Sequence, residues 1–369
     1  MGQRHVHGNP AESTTGVDLL PHSPRLARNN FDLLRFLFAG TVLLVHSYQL
    51  SGYQQLAWVV DFLSSAVAVK SFFVVSGFLI FMSFERSSSL ASYMKKRVRR
   101  IYPAYFTVVF GCAIGLVAMS SVDAANYFSF AWLKYVFSNL LFLNFLQPTL
   151  PGVFEGNKIS VINGALWTLK IEVLFYLTVP LFVYLFRRFF RLPLLVLFYI
   201  ASVGYATLLS GMAERSDSGV YAELARQLPG QLCYFMAGAF LYYFLPLFER
   251  RVRDFMVAAV LMLLANSFYP LPLLEPFALA VVVVFFGLFL YAGNFGKYGD
   301  FSYGLYILHF PIIQSFIWLG WFRESPWYFL LTVVVTTLTG AIAMWYWVEK
   351  RFLFRSSHYI AATVQASKR

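Results

Sequence analysis

Charge is what this sequence has least of. Only 12% of its 369 residues are Asp, Glu, Lys or Arg, about half the share of a soluble domain. A water-facing surface cannot be built from that composition. Acid is scarcer still, with 17 Asp and Glu against 29 Lys and Arg. Cysteine is nearly absent, and Cys112 and Cys233 both fall inside apolar runs, so no disulfide framework is implied. There is no zinc-ligand spacing and no aromatic–basic platform for single strands, so the net charge of +12 does not point to nucleic acid. Neither an internal repeat nor a cleavable leader is visible. The first 28 residues are polar and lack an apolar core, and they read as a disordered tail rather than a signal peptide.

What the chain has instead is apolar length. Hydrophobic residues make up 59% of it. Runs such as FTVVFGCAIGLVAMSSV and FALAVVVVFFGLFLYAG suffice to cross a ~30 Å hydrocarbon core as helices. The fold class is therefore an all-α polytopic membrane protein. Hydropathy offers eleven candidate spans, beginning near residues 31, 62, 101, 132, 166, 192, 230, 254, 276, 303 and 327. If all eleven crossed, Arg187, Arg188, Arg191 and the cluster Glu249 to Asp254 would fall on the outer side. The segment 132–147 is short and carries Lys134, Asn139 and Asn144. Read as re-entrant or interfacial, it returns every basic loop to the inner face. Of the 29 Lys and Arg, 21 are then inside, three lie within spans and five are outside: Lys134, Lys158, Arg215, Arg226 and Arg323. Such an asymmetry sets topology. The expectation is about ten spanning helices with both termini cytoplasmic. A membrane domain, 29–354, then lies between tails 1–28 and 355–369.

Ionisable residues inside spans carry the functional signal, since each costs about 3 kcal/mol at the bilayer centre. They are Arg35, His46, Lys70, Lys170, Glu172 and His309. Arg35 and His46 are eleven residues apart, about 20° from alignment and roughly 16 Å along one helix face. Taken singly, Arg35 has the reading of a snorkelling cation and His46 that of a bundle contact. Glu172 lies at about the depth of His46. A carboxylate and an imidazole at one depth suit a base with its orienting partner, and equally a structural polar pair. Lys170, two residues away, faces elsewhere. In KKRVRR, Arg97 and Arg100 at i and i+3 make a cationic patch suited to phosphates, or a topology signal touching anionic lipid. In SYGLYILHF, Ser302 and His309 share a face with Tyr303 and Tyr306 nearby, and His309 reads as structural or pocket-lining rather than catalytic.

These residues resemble the acyltransferase-3 family of integral membrane acyltransferases. FDLLRFLFAGTVLLVH looks like its first-helix signature, SFFVVSGFLI its second-helix motif and KKRVRRIYPAY its Arg-x-x-Arg loop. LWTLKIEVLFYL resembles its Trp-plus-Glu helix, and SYGLYILHFP and WVEKRF its last two helices. Two departures stand out. Ile171-Glu172 replaces the paired glutamates of many relatives, and about 15 residues follow WVEKRF, too few for the SGNH-type esterase domain that some carry. The resemblance implies transfer of an acyl group, most often acetyl, from cytoplasmic acyl-CoA to a hydroxyl of a glycan or glycolipid. On that reading His46 and Glu172 are catalytic, with His46 as base or acyl carrier. Arg35, Arg97 and Arg100 attract the coenzyme. Lys70, Trp167, Tyr303 and His309 line the acceptor site. No metal and no nucleic acid are expected, and the location is a bacterial inner membrane. A transporter or flippase for a lipid-linked glycan, and a small lipophilic acceptor, remain the alternatives.

Overall fold

The computed structural model describes residues 23–354. Of the expected tails, 1–22 and 355–369 lie outside these. Residues Pro24–Leu26 form a turn that docks on the bundle, where Ser23 Oγ donates to Glu249 at 2.6 Å and the Arg25 guanidinium lies 4.2 Å over the Phe289 ring. Among the described residues there is no strand. Eleven α-helices reach ten residues or more: α1 (Phe31–Ser51), α2 (Ser65–Glu85), α3 (Leu90–Gly115), α4 (Phe130–Leu140), α5 (Trp167–Arg188), α6 (Arg191–Ser216), α7 (Leu228–Tyr243), α8 (Val252–Phe268), α9 (Glu275–Leu288), α10 (Ser302–Leu319) and α11 (Pro326–Met344).

Six of them are long and apolar enough to cross a membrane: α1, α2, α3, α5, α6 and α11 with its extension to Phe352. Helices α7, α8, α9 and α10 have 16, 17, 14 and 18 residues. Helix α4 has 11 residues, about 16 Å, and cannot cross. It sits where sequence placed the re-entrant or interfacial piece. Its Tyr135 and Asn139 are buried while Phe130, Phe137 and Leu141 are exposed. Asn139 secures it. Its Nδ2 donates to the Gln147 carbonyl at 2.9 Å, and its own carbonyl accepts from Tyr105 at 2.6 Å.

Lipid tails are as apolar as leucine, so helices in a bilayer gain from close approach rather than from leaving water. A close approach of this kind joins α2 and α7 through two glycines. A Cβ on Gly77 would stand 2.0 Å from the Phe235 carbonyl oxygen, and one on Gly238 would stand 2.1 Å from that of Val74. Neither contact can yield, because both obstacles are backbone. Gly77→Ala is accordingly expected to destabilise the bundle by about 3 kcal/mol or more, read as a lowered unfolding temperature and loss of monodisperse protein in detergent.

Pro180 and Pro311 interrupt the hydrogen-bond ladders of two helices that frame the site. Pro180 in α5 removes the hydrogen bond to Tyr176 O, and Pro311 in α10 removes the one to Ile307 O. Both carbonyls find other donors. Tyr93 Oη donates to Tyr176 O at 3.1 Å, and Asn163 Nδ2 donates to Ile307 O at 2.8 Å. Each freed carbonyl is thereby satisfied by a neighbouring segment, as backbone at membrane depth requires.

Candidate active site

Helices α1 and α10 pack side by side and bring two histidines together. His46 Nδ1 lies 2.8 Å from His309 Nε2, with the rings stacked at 27° and their centroids 5.1 Å apart. At that distance the two facing nitrogens hold a single proton between them. His309 is fully buried, and Tyr306 and Phe310 pack edge-on around the pair. His46 is only partly buried and lines a cavity of about 360 Å³, whose wall also includes Gln49, Lys158, Trp167, Arg226 and Phe310. Its Nε2 makes no hydrogen bond among the described residues. One ring edge is therefore anchored and the other is available to a ligand, the geometry a general base needs. Gly164 is required here, since a Cβ on it would stand 2.7 Å from the Phe310 ring.

Sequence placed Glu172 beside His46 as its orienting partner. In the structure that partner is His309, and Glu172 accepts a hydrogen bond from Tyr176. Between the two lies a buried hydroxyl pair, Thr168 Oγ1 and Tyr306 Oη at 2.7 Å. Polar groups thus run from the histidines along the seam of α5 and α10 towards the opposite end of α1.

That end carries the arginines, and it separates them. Arg97 donates to Ser83 Oγ at 3.1 Å and stacks 5.7 Å from the Tyr176 ring and 5.9 Å from that of Tyr93. Its Nε is buried without a hydrogen-bond partner, and among the described residues no carboxylate lies within ion-pair distance. Arg35 and Arg100 are tied differently. Arg35 pairs with Asp32 and, at 3.2 Å, with Asp300; Arg100 pairs with Asp300 and, at 2.8 Å, with Glu349. The helix widens into a π turn over Trp345–Glu349, the local bulge that often marks functional positions. Asp300 also accepts from Ser302 N at 3.1 Å, holding the first turn of α10.

Asp300 stands in the loop before α10, outside the helices. Burial works to raise its pKa, but the Arg35 and Arg100 guanidiniums outweigh burial and hold the carboxyl below its ordinary range. A depressed folded-state pKa contributes stability above the unfolded value, about 3.9, and loses it as pH falls through the folded value. Asp300→Ala leaves two guanidiniums facing each other and is expected to cost about 3–5 kcal/mol. The deficit against wild type, followed by thermal unfolding between pH 7 and pH 3, should be constant above pH 5 and shrink below about pH 4.

The four expected acceptor contacts divide. Trp167 lines the cavity, with Arg226 stacked 4.3 Å over its ring, and His309 supports His46 from behind. Tyr303 lies at the arginine end, donating to Ile101 O at 3.1 Å with the Arg100 guanidinium 5.7 Å over its ring. Lys70 pairs with Glu275 at 2.7 Å between α2 and α9, where Tyr234 adds a 3.2 Å hydrogen bond. Sequence reasoning did not single out Asp300, Glu349, Tyr176, Lys158 or Arg226. The first is readable from the D-x-S before α10, where Asp300 accepts from Ser302 N, whereas the others acquire meaning only once distant segments meet.

The sequence itself has relatives. Residues 28–346 match the family described as an acyltransferase domain. The chain is 28% identical to "Nodulation protein 10" of Rhizobium leguminosarum bv. viciae, over 88% of this chain and 92% of that one. It is 29% identical to an "O-acetyl transferase" of Shigella phage Sf6, over 89% and 97%. "Acyltransferase MdmB" of Streptomyces mycarofaciens is 32% identical over a shorter stretch, 33% of this chain and 30% of that one. No solved structure matches the chain.

Proposed function

Since the chain belongs to the acyltransferase-3 family of membrane acyltransferases, we propose that it moves an acyl group, most often acetyl, from acyl-CoA at the arginine end of the bundle to a carbohydrate hydroxyl at the histidine end. The observation that carries this reading is the arrangement of His46. Its Nδ1 is held by His309 and its ring opens onto a cavity of about 360 Å³, within the range of small-ligand pockets. Acetyl transfer to an oxygen acceptor is favoured because a relative covered over most of its length bears the name of an O-acetyl transferase.

The step balances as follows. His46 Nε2 removes the proton of the acceptor hydroxyl as its oxygen attacks the thioester carbonyl. The new O–C bond forms, the C–S bond breaks, and the imidazolium returns the proton to the departing thiolate. The tautomer this requires puts the remaining His46 proton on Nδ1, donated to His309 Nε2. His309 is then a positioning residue. Arg97, without a carboxylate of its own, meets the phosphates of the coenzyme. Arg35 and Arg100 take a supporting part: with Asp32, Asp300 and Glu349 they pin α1, α3, α10 and α11 around that entrance. Glu172, through Tyr176, orients the ring on which Arg97 rests.

Topology follows from the same assignment. The arginine end faces the cytoplasm, where acyl-CoA is made. Helices α7 to α10 join the six longer ones to give ten crossings with both ends of the domain inside, and the membrane is the bacterial inner membrane. Acceptor-dependent release of CoA from acetyl-CoA by purified protein in nanodiscs tests the reading. A transporter for a lipid-linked glycan would neither bind acetyl-CoA nor release CoA.

A further inference from the structure

The cavity over His46 has a sign. Of the five Lys and Arg that the charge asymmetry leaves on the outer side, two, Lys158 and Arg226, stand in its wall. Among the described residues no Asp or Glu lines it. Both cations are exposed, and each has a contact that places it at the cavity wall. Lys158 sits on a loop bolted to α10 by Gln314, which is buried and donates to Ile159 O at 2.7 Å and Val161 O at 3.0 Å while accepting from Asn157 at 3.0 Å. Its ammonium uses one donor, on Gln49 O at 3.1 Å, and keeps two. Arg226 is held against the cavity by stacking on Trp167. Its one carboxylate contact, Glu223 at 3.3 Å, is a half-exposed pair, which is weak in water and leaves most of its five N–H donors unused.

We propose that the acceptor bound here is an anionic carbohydrate, whose phosphate or carboxylate lies between Lys158 and Arg226 while one of its hydroxyls meets His46. The inference rests on the reading of His46 as the base that meets the acceptor. Its chemistry is that of charge-assisted hydrogen bonds to an oxyanion, with Trp167 beside them as an apolar wall for the sugar ring. A phosphate would come from a lipid-linked sugar and a carboxylate from an acidic glycan.

Ligand-observed saturation-transfer NMR on the full chain in nanodiscs of zwitterionic lipid tests this, with glucose, glucose 1-phosphate and glucuronate as probes. Wild type is expected to bind at least one anionic sugar about tenfold more tightly than glucose, and to lose that advantage as salt rises. Lys158→Gln with Arg226→Gln removes the advantage, whereas Arg323→Gln keeps it. Preference for glucose 1-phosphate alone assigns the phosphate source, preference for glucuronate alone the acidic glycan, and binding of both a general oxyanion site. Equal binding of glucose, or an anion preference that survives in the double variant, overturns the proposal. Acetyl-CoA binding and cleavage, measured on the same samples, separates the two readings. Intact acetyl-CoA turnover without anion preference removes only the acceptor assignment. An anion preference that depends on Lys158 and Arg226, without any acetyl-CoA turnover, supports the site and removes the acyl-transfer reading.

Discussion

His46→Ala is expected to lower acceptor-dependent release of CoA by about a thousandfold or more, with acetyl-CoA binding unchanged and the protein still monodisperse. General-base catalysis supplies about 10²–10⁴ in rate, and here the same ring also aims the acceptor hydroxyl. The fold should tolerate the loss, because His46 borders a cavity and its removal enlarges a space already open. His309→Gln separates positioning from packing. Glutamine keeps a polar atom near His46 Nδ1 but cannot hold one tautomer as firmly, so kcat falls by about tenfold to a hundredfold while KM for acetyl-CoA stays. The pH–rate profile should shift with it, which a purely structural role would not produce. Should His46→Ala retain full turnover, the base lies elsewhere and the histidine pair is a structural contact.

Arg97→Ala should raise KM for acetyl-CoA by about tenfold to a hundredfold with kcat nearly unchanged. A charge-assisted hydrogen bond to phosphate contributes about 1.5–3 kcal/mol, and each 1.4 kcal/mol is a factor of ten. Arg97 has no carboxylate to release before it meets an anion, so the full contact is lost on substitution. Arg100→Ala serves as the contrast. It leaves Asp300 and Glu349, both almost fully buried, with one guanidinium fewer, and the expected effect is loss of folded protein rather than a selective change in KM. Initial rates across acetyl-CoA concentrations, with unfolding temperatures of the same preparations, distinguish the two. A selective KM effect at Arg100 with none at Arg97 would reverse the assignment.

The difference between those arginines marks where sequence reading stops. Their spacing, i and i+3, says only that both lie on one side of α3. Which one keeps its charge for a ligand depends on Asp300 and Glu349, which lie about 200 and 249 residues along the chain. No local pattern encodes that meeting. The same holds at the other end. Helical periodicity put Arg35 and His46 on one face at the right separation, because both belong to one rigid element. Glu172 was matched to His46 by depth alone, and depth does not fix rotation, which is how His309 became the partner. The segment that does not span as a helix was legible because it was short and polar for a span, and α4 is only 11 residues long. The positive cavity was legible in part. Charge counting left few cations outside, but only packing showed that two of them share a wall.

The short helices have a consequence for the surrounding lipid. Helix α8 shows almost its whole length to the exterior, with Ala259 its one buried residue, and 17 residues rise only about 25 Å. On the proposed ten-crossing reading, a bilayer with a hydrocarbon thickness near 30 Å thins beside α8 by several ångströms, at a fraction of a kcal/mol for each. Helices α3 and α6, with 26 residues each, impose no such thinning. On that reading the protein carries an uneven deformation with it, deepest beside α8.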